Sequence, residues 1–125
     1  MVSALWSNAV EMGRVAGTNM AGGKVRYEGF LSVLNASDIA GIPFISAGVV
    51  NDEAGRYEVY SVRDGENYRK VLFDGERLVG FLLRGGTNRA GILTHLIKNR
   101  RQAGKLKTKV IEGMLHYGHF LKAIY

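Results

Sequence analysis

The chain has no cysteine, one proline and one tryptophan among its 125 residues. Without cysteine there is no disulfide, no thiolate metal site and no redox-active thiol pair, a composition that fits a reducing cytoplasm. No apolar run approaches the roughly 20 residues that span a bilayer, so neither a spanning helix nor a secretory leader is expected. A dinucleotide-gripping loop is missing too. The pattern GxGxxG after a strand, with an acidic residue about twenty positions later, cradles a pyrophosphate; Gly13, Gly17, Gly22 and Gly23 have the wrong spacing and lie within or after a helix. What is present suits a globular domain: 46% hydrophobic residues and a length sufficient for one core.

Acidic residues are scarce in one half only. Residues 1–76 carry 7 Lys and Arg against 10 Asp and Glu, whereas residues 77–125 carry 10 against 1. Between Glu76 and Glu112 the charges are all positive: Arg77, Arg84, Arg89, Lys98, Arg100, Arg101, Lys105, Lys107 and Lys109. Such asymmetry fits an acidic partner, an anionic ligand or a nucleic acid, and equally a solvated corner between helices. The densest stretch, KNRRQAGKLKTK (98–109), has no aromatic residue for base stacking, which argues against nucleic acid.

The opening stretch LWSNAVEMGRVAGTNMAGGK (5–24) has helical character. Ser7 is placed to cap it and Glu11 to sit in its first turn. Ala9, Gly13, Gly17 and Ala21 recur every four residues, giving a face almost without side chains. Two interior glycines cost a helix about 1 kcal/mol each, so the face implies a close approach, either to a sheet of the same fold or to something flat outside it. Gly22–Gly23 is a natural stop, and Lys24–Tyr27 begins extended structure.

Further along, Phe30–Leu34 and Ile42–Val50 are apolar runs separated by NASDIAG, a turn-forming cluster, with Pro43 placing the second run's start there or on an edge. Tyr57–Val62 alternates as a strand. Asn67–Phe73 and Leu78–Leu83 flank Asp74-Gly75-Glu76-Arg77, a hairpin signal. Leu78–Leu83 (LVGFLL) is apolar on both faces, hence central in a covered sheet, with Gly80 marking a bulge or a close backbone approach. Thr87 or Asn88 can cap a helix reaching about Gln102 that buries Ala90, Leu93, Leu96 and Ile97. A last helix from about Lys105 carries the stripe Leu106, Val110, Met114, Tyr117, Leu121 and Ile124. The fold class is α+β: a mostly antiparallel sheet of four to five strands, an N-terminal helix and two C-terminal helices.

Residues 5–24, GIPFISAGVV (41–50) and YRKVLFDGERLVGFLLRGGTNRAGILTHLIKN (68–99), in that order, resemble the pyridine nucleotide-disulfide oxidoreductase superfamily. The similarity is to the NADH–rubredoxin reductases and the FAD/NAD-binding part of NAD(P)H nitrite reductases. It covers most of the chain and weakens beyond about residue 100. It implies that residues 1–23 are a remnant helix of an FAD-binding domain and that residues 24–125 form the C-terminal interface, or dimerisation, domain. The parent enzyme would use FAD and NAD(P)H and pass electrons from nicotinamide through flavin to an acceptor. The helix would aim its N-terminus at the pyrimidine edge of the flavin, a role that falls by position on Ser7, Asn8 and Ala9, with Trp6 beside them. In GGTNRAG (85–91), Gly86 stands where the family has an acidic residue.

The resemblance implies a chain that starts inside a domain, binds neither FAD nor NAD(P)H by itself and is inactive alone. Its expected partners are the remainder of the flavoprotein, a second subunit or a second copy of itself. Lys105, Lys107 and Lys109 are candidates for docking an acidic electron carrier. The competing reading is a small stand-alone basic module that binds nucleic acid or an acidic protein. His116 and His119, three residues apart, could place two imidazoles on one helix face, but a third metal ligand is missing, and no metal site or nucleophile-elbow pattern is expected.

Overall fold

Three two-residue loops set the register of most of the sheet. The computed structural model describes residues 6–28 and 34–121. In chain order it contains α1 (Trp6–Met20), β1 (Leu34–Ile39), β2 (Ile42–Gly48), β3 (Glu58–Asp64), β4 (Asn67–Asp74), β5 (Arg77–Arg84), α2 (Ala90–Lys98), a 3-10 turn (Gly104–Leu106), α3 (Lys107–Glu112) and α4 (Gly118–Leu121). The strands form one antiparallel sheet in the order β1-β2-β5-β4-β3. Asp74 pairs with Arg77 across the loop Gly75–Glu76, as the DGER signal predicts, and Asp64 pairs with Asn67 across Gly65–Glu66. The architecture is the α+β arrangement read from the sequence.

β5 is the central strand, and its core face carries Leu78, Phe81 and Leu83. Leu78 pairs with Phe73 and Gly80 with Leu72, so Val79 is an extra residue between them. This bulge lets Leu78 and Phe81, three positions apart, face the same side. There they meet Val71 and Phe73 of β4, Ala47 of β2, and Ile92, Leu93, Leu96 and Ile97 of α2. Phe73, Phe81, Leu83, Ile92, Leu93 and Leu96 are essentially inaccessible to water, and each such side chain contributes about 1.5–3 kcal/mol. On the opposite face Leu72 is buried, and the backbone at Gly80 lies against Val49, where a Cβ would collide with the Val49 carbonyl.

Four local readings are corrected. NASDIAG is not a turn: Leu34–Ile39 is a strand, and only Ala40–Gly41 reverses the chain, with φ of 54° and 78°. β1 is the outermost strand and exposed along its length, so backbone pairing with β2 holds it and no apolar alternation announces it. Of the run Phe30–Leu34, all but Leu34 lies outside the described residues. Pro43, by contrast, marks the start of β2 as one of its two readings had it: it is the second residue of the strand, and β1 lies beyond, so β2 is not an edge.

α2 ends at Lys98 rather than near Gln102. Arg100 turns left-handed (φ 49°), and the amides of Arg100 and Arg101 donate to the carbonyls of Ile97 and Leu96 at 3.1 Å, a Schellman closure. Gln102 then pairs with Arg77, and the Ala103 amide donates to the Glu76 carbonyl at 2.7 Å, tying the chain to the sheet. The residue entering α2 is Arg89 (φ 72°), not Thr87 or Asn88, and it makes no side-chain cap. The expected final helix is broken at Gly113 (φ 75°), whose neighbour Met114 donates its amide to the Lys109 carbonyl at 2.9 Å. Val110 is buried and Leu106 packs on the core, whereas Met114 and Tyr117 are exposed.

Candidate functional site

The helix α1 already includes Trp6, which places Ser7 inside its first turn rather than at the cap. Glu11 consequently falls beyond that turn, in an ion pair with Arg14 at 2.7 Å; the bond holds its carboxyl below the usual value. No acidic side chain occupies the first turn. Ser7 and Ala9 are exposed and Asn8 is buried. The sequence has no GxGxxG loop of the kind that grips a dinucleotide pyrophosphate.

Along its length α1 buries only Asn8 and Val15. Ala9, Gly13, Gly17 and Ala21 are all exposed, and a Cβ added at Gly13 or Gly17 would meet nothing within 4 Å. Around this bare strip stand Trp6 and Met20, 85% and 89% exposed, with Val10 and Met12 about half exposed. Within this structure, then, the glycines serve no close approach to the sheet. A cleft of about 630 Å³ separates the other side of α1, at Asn8, Glu11 and Arg14, from residues 25–28, Leu34 and Lys98.

The far end of α1 is firmly held. The Gly22 and Gly23 amides donate to the carbonyls of Asn19 and Thr18 at 3.1 and 2.9 Å. The Asn19 side chain accepts from the Val25 amide at 2.8 Å and donates to the Val25 carbonyl at 2.9 Å. This clamp fixes the direction in which the chain leaves the helix. Sequence reasoning found the glycine stop but not the asparagine, whose only signal is its place one turn before it.

The three candidate docking lysines lie in different surroundings. Lys105 is exposed and Lys109 half-buried. The ammonium of Lys107 donates to both Glu58 carboxylate oxygens at 3.1 and 3.0 Å and to the Gly75 carbonyl at 2.9 Å, and lies 5.0 Å from the Phe73 ring centre. The Tyr60 hydroxyl, donating at 2.6 Å, and then Lys107 hold the Glu58 carboxyl below its usual value; Glu58 raises Lys107 in return. The freely exposed cations of the basic run are Lys98, Arg100, Arg101 and Lys105. The rings of His116 and His119 stack 3.7 Å apart, and among the described residues no three potential metal ligands gather.

A second concavity of about 640 Å³ was not legible in the sequence. Its lining includes Asp64, Asn67, Arg69, Asn88, Arg89 and Glu112. Arg69 reaches it from β4 and Arg89 from the entry to α2; the broken end of α3 joins them by accepting hydrogen bonds from both.

No curated protein sequence matches the chain. Among the described residues no helix is long and apolar enough to cross a membrane. The matched family is described as the rubredoxin NAD+ reductase C-terminal domain, and the match runs over residues 31–101, more than half of the chain. That span takes in the whole sheet and α2, the hairpins and the buried face of LVGFLL. The chain belongs to the rubredoxin NAD+ reductase C-terminal domain family.

Proposed function

We propose that this chain is the C-terminal interface domain of an FAD- and NAD(P)H-dependent oxidoreductase related to the rubredoxin and nitrite reductases. Residues 24–125 form the interface domain, and residues 1–23 belong to the architecture of the flavin-binding part. The role of the chain is structural: it covers the flavin domain and offers a surface to a second subunit or a redox partner. A cytoplasmic setting suits such an enzyme. The parent enzyme moves hydride from nicotinamide to flavin and passes the electrons on.

The observation that carries this reading is the contrast between a family-matched body with a sealed core and a helix whose small-residue strip is bare. Glycines that cost helix stability without approaching anything in their own fold fit a surface made for another polypeptide. Ser7, Asn8 and Ala9 then lie where the helix dipole stabilises charge on a reduced flavin edge. By itself the chain binds neither dinucleotide, and it self-associates through the uncovered face.

Two experiments test this. A dinucleotide-binding polypeptide with a GxGxxG loop is expected in the same or an adjacent reading frame; incubating the purified chain with FAD, followed by gel filtration, should leave no flavin absorbance on the protein. Retention of stoichiometric FAD by the chain alone contradicts the reading. The exposed basic run, with Lys105, Lys107 and Lys109, steers an acidic electron carrier to the assembled enzyme. Reversing those three charges should slow carrier reduction and weaken its salt dependence, and an unchanged rate removes the docking role. Because Lys107 also braces Glu58, Lys105 alone is the cleaner substitution.

A further inference from the structure

Arg69 and Arg89 converge on one cleft, and the fold maintains this against three opposing forces. First, Arg69 stands half-buried on β4, where removal from water, and after it the charge of Arg89, lowers its pKa. Second, Arg89 adopts a left-handed backbone (φ 72°) that side-chain-bearing residues rarely occupy, and it makes no cap for α2 there. Third, the Arg69 guanidinium comes within 2.6 Å of where a Gly113 Cβ would be, so a side chain there would displace it. Strain and like-charge proximity held in place by the surrounding fold are typical of ligand clamps.

What holds the two side chains is known from the structure. Arg69 donates through Nη1 to the Val110 carbonyl at 3.3 Å, and Arg89 through Nη1 to the Gly113 carbonyl at 3.0 Å. Both acceptors are backbone carbonyls at the end of α3, that of Val110 also accepting the Gly113 amide at 3.3 Å, so each guanidinium is oriented by a neutral acceptor. A guanidinium has five N–H donors, and one from each accounts for these bonds. Asp64 and Glu112 line the same cleft, yet neither forms an ion pair with Arg69 or Arg89; the ion pairs among the described residues join Arg14 to Glu11 and Lys107 to Glu58. Asn67, Asn88 and Val62 line it as well.

We propose that this cleft is an oxyanion-binding site, in which Arg69 and Arg89 take a phosphate or carboxylate group of a small-molecule ligand between them. Forked guanidinium donors match both groups. Neutral helix carbonyls aim the forks without quenching their charge. Asp64 and Glu112, which line the same cleft, disfavour bulkier polyanions. The proposal does not depend on the flavoenzyme assignment, because it concerns residues of this chain alone.

The test titrates the full chain with inorganic phosphate and, separately, with succinate, at constant ionic strength in chloride, following backbone and arginine Nε resonances. Arg89→Gly removes one guanidinium while suiting the left-handed backbone, so it should fold; Arg101→Gln, an exposed change outside the cleft, is the charge control. Saturable shifts at Gly86, Asn88, Arg89 and Gly113, weakened about tenfold or more by Arg89→Gly and unaltered by Arg101→Gln, support the site. Saturation by phosphate but not succinate identifies a phosphate ligand, and the reverse a carboxylate. Absence of saturable shifts with both anions, or equal weakening by Arg101→Gln, overturns the proposal.

Discussion

The sheet body and α1 use glycine and apolar residues in opposite ways. In the body, Gly80 permits contact: the Val49 backbone lies where its Cβ would be, and Phe73, Phe81, Leu83 and Leu96 are sealed from water. In α1, Gly13 and Gly17 permit contact with nothing among the described residues, and Trp6 and Met20 stand in solvent. One region has a core of its own. The other has the composition of a packed element and the exposure of a free surface, which is what a domain built to be covered by another polypeptide would show.

Substitutions can break this comparison, beginning with the largest effect. Gly80→Ala sets a methyl group against a backbone carbonyl that cannot move without unpairing β2 from β5, and should cost about 4 kcal/mol or more in urea unfolding. Phe81→Ala empties the centre of the core, with an expected loss of about 3–5 kcal/mol. The same change of glycine to alanine in α1 should have the opposite sign. Gly13→Ala and Gly17→Ala should each favour the helix by about 1 kcal/mol, raising far-UV helicity while leaving the unfolding midpoint of the body in place. If the pair instead destabilises the body, α1 belongs to the same packed unit and the contrast fails.

Smaller effects sharpen it. Arg100 closes α2 in the left-handed region (φ 49°), so Arg100→Gly should stabilise the protein by about 1 kcal/mol. Glu58 gives the smallest effect, visible as a pH dependence. Its pKa lies below the usual carboxylate value because the Tyr60 hydroxyl and then Lys107 favour the carboxylate. A carboxyl lowered in the folded state contributes stability above its unfolded pKa and loses it as pH falls through the folded one. Glu58→Gln should therefore be less stable than the parent chain near neutral pH, with the difference vanishing as the pH drops below about 4.5. The Lys107 pKa is raised, so its share of the same pair fades only as pH rises through the folded value.

How much of this could be read from the residues follows from the range of each interaction. LVGFLL, the DGER hairpin and the buried side of α2 were legible because apolar periodicity and turn chemistry act over a few residues. β1 was not, since an outermost strand pairs through its backbone and has no buried face. The ends of α2 and the break in the last helix depend on partners far along the chain: Gln102 pairs with Arg77, and Gly113 makes room for Arg69. Lys107 looked like one more cation in a basic run, yet its partner Glu58 is 49 residues away. The Arg69–Arg89 cleft was illegible for the same reason. The small-residue strip of α1 was plain in the sequence; that none of the described residues covers it required coordinates.

Hydrogen exchange measured at concentrations where the chain is monomeric tests the central contrast most directly. Amides of α1 between Trp6 and Met20 should exchange by local opening at least about a hundredfold faster than those of β4, β5 and α2, which open only with global unfolding. Equal protection of α1 and the central strands in the monomer would mean that the helix is already complete within its own fold, contradicting the account.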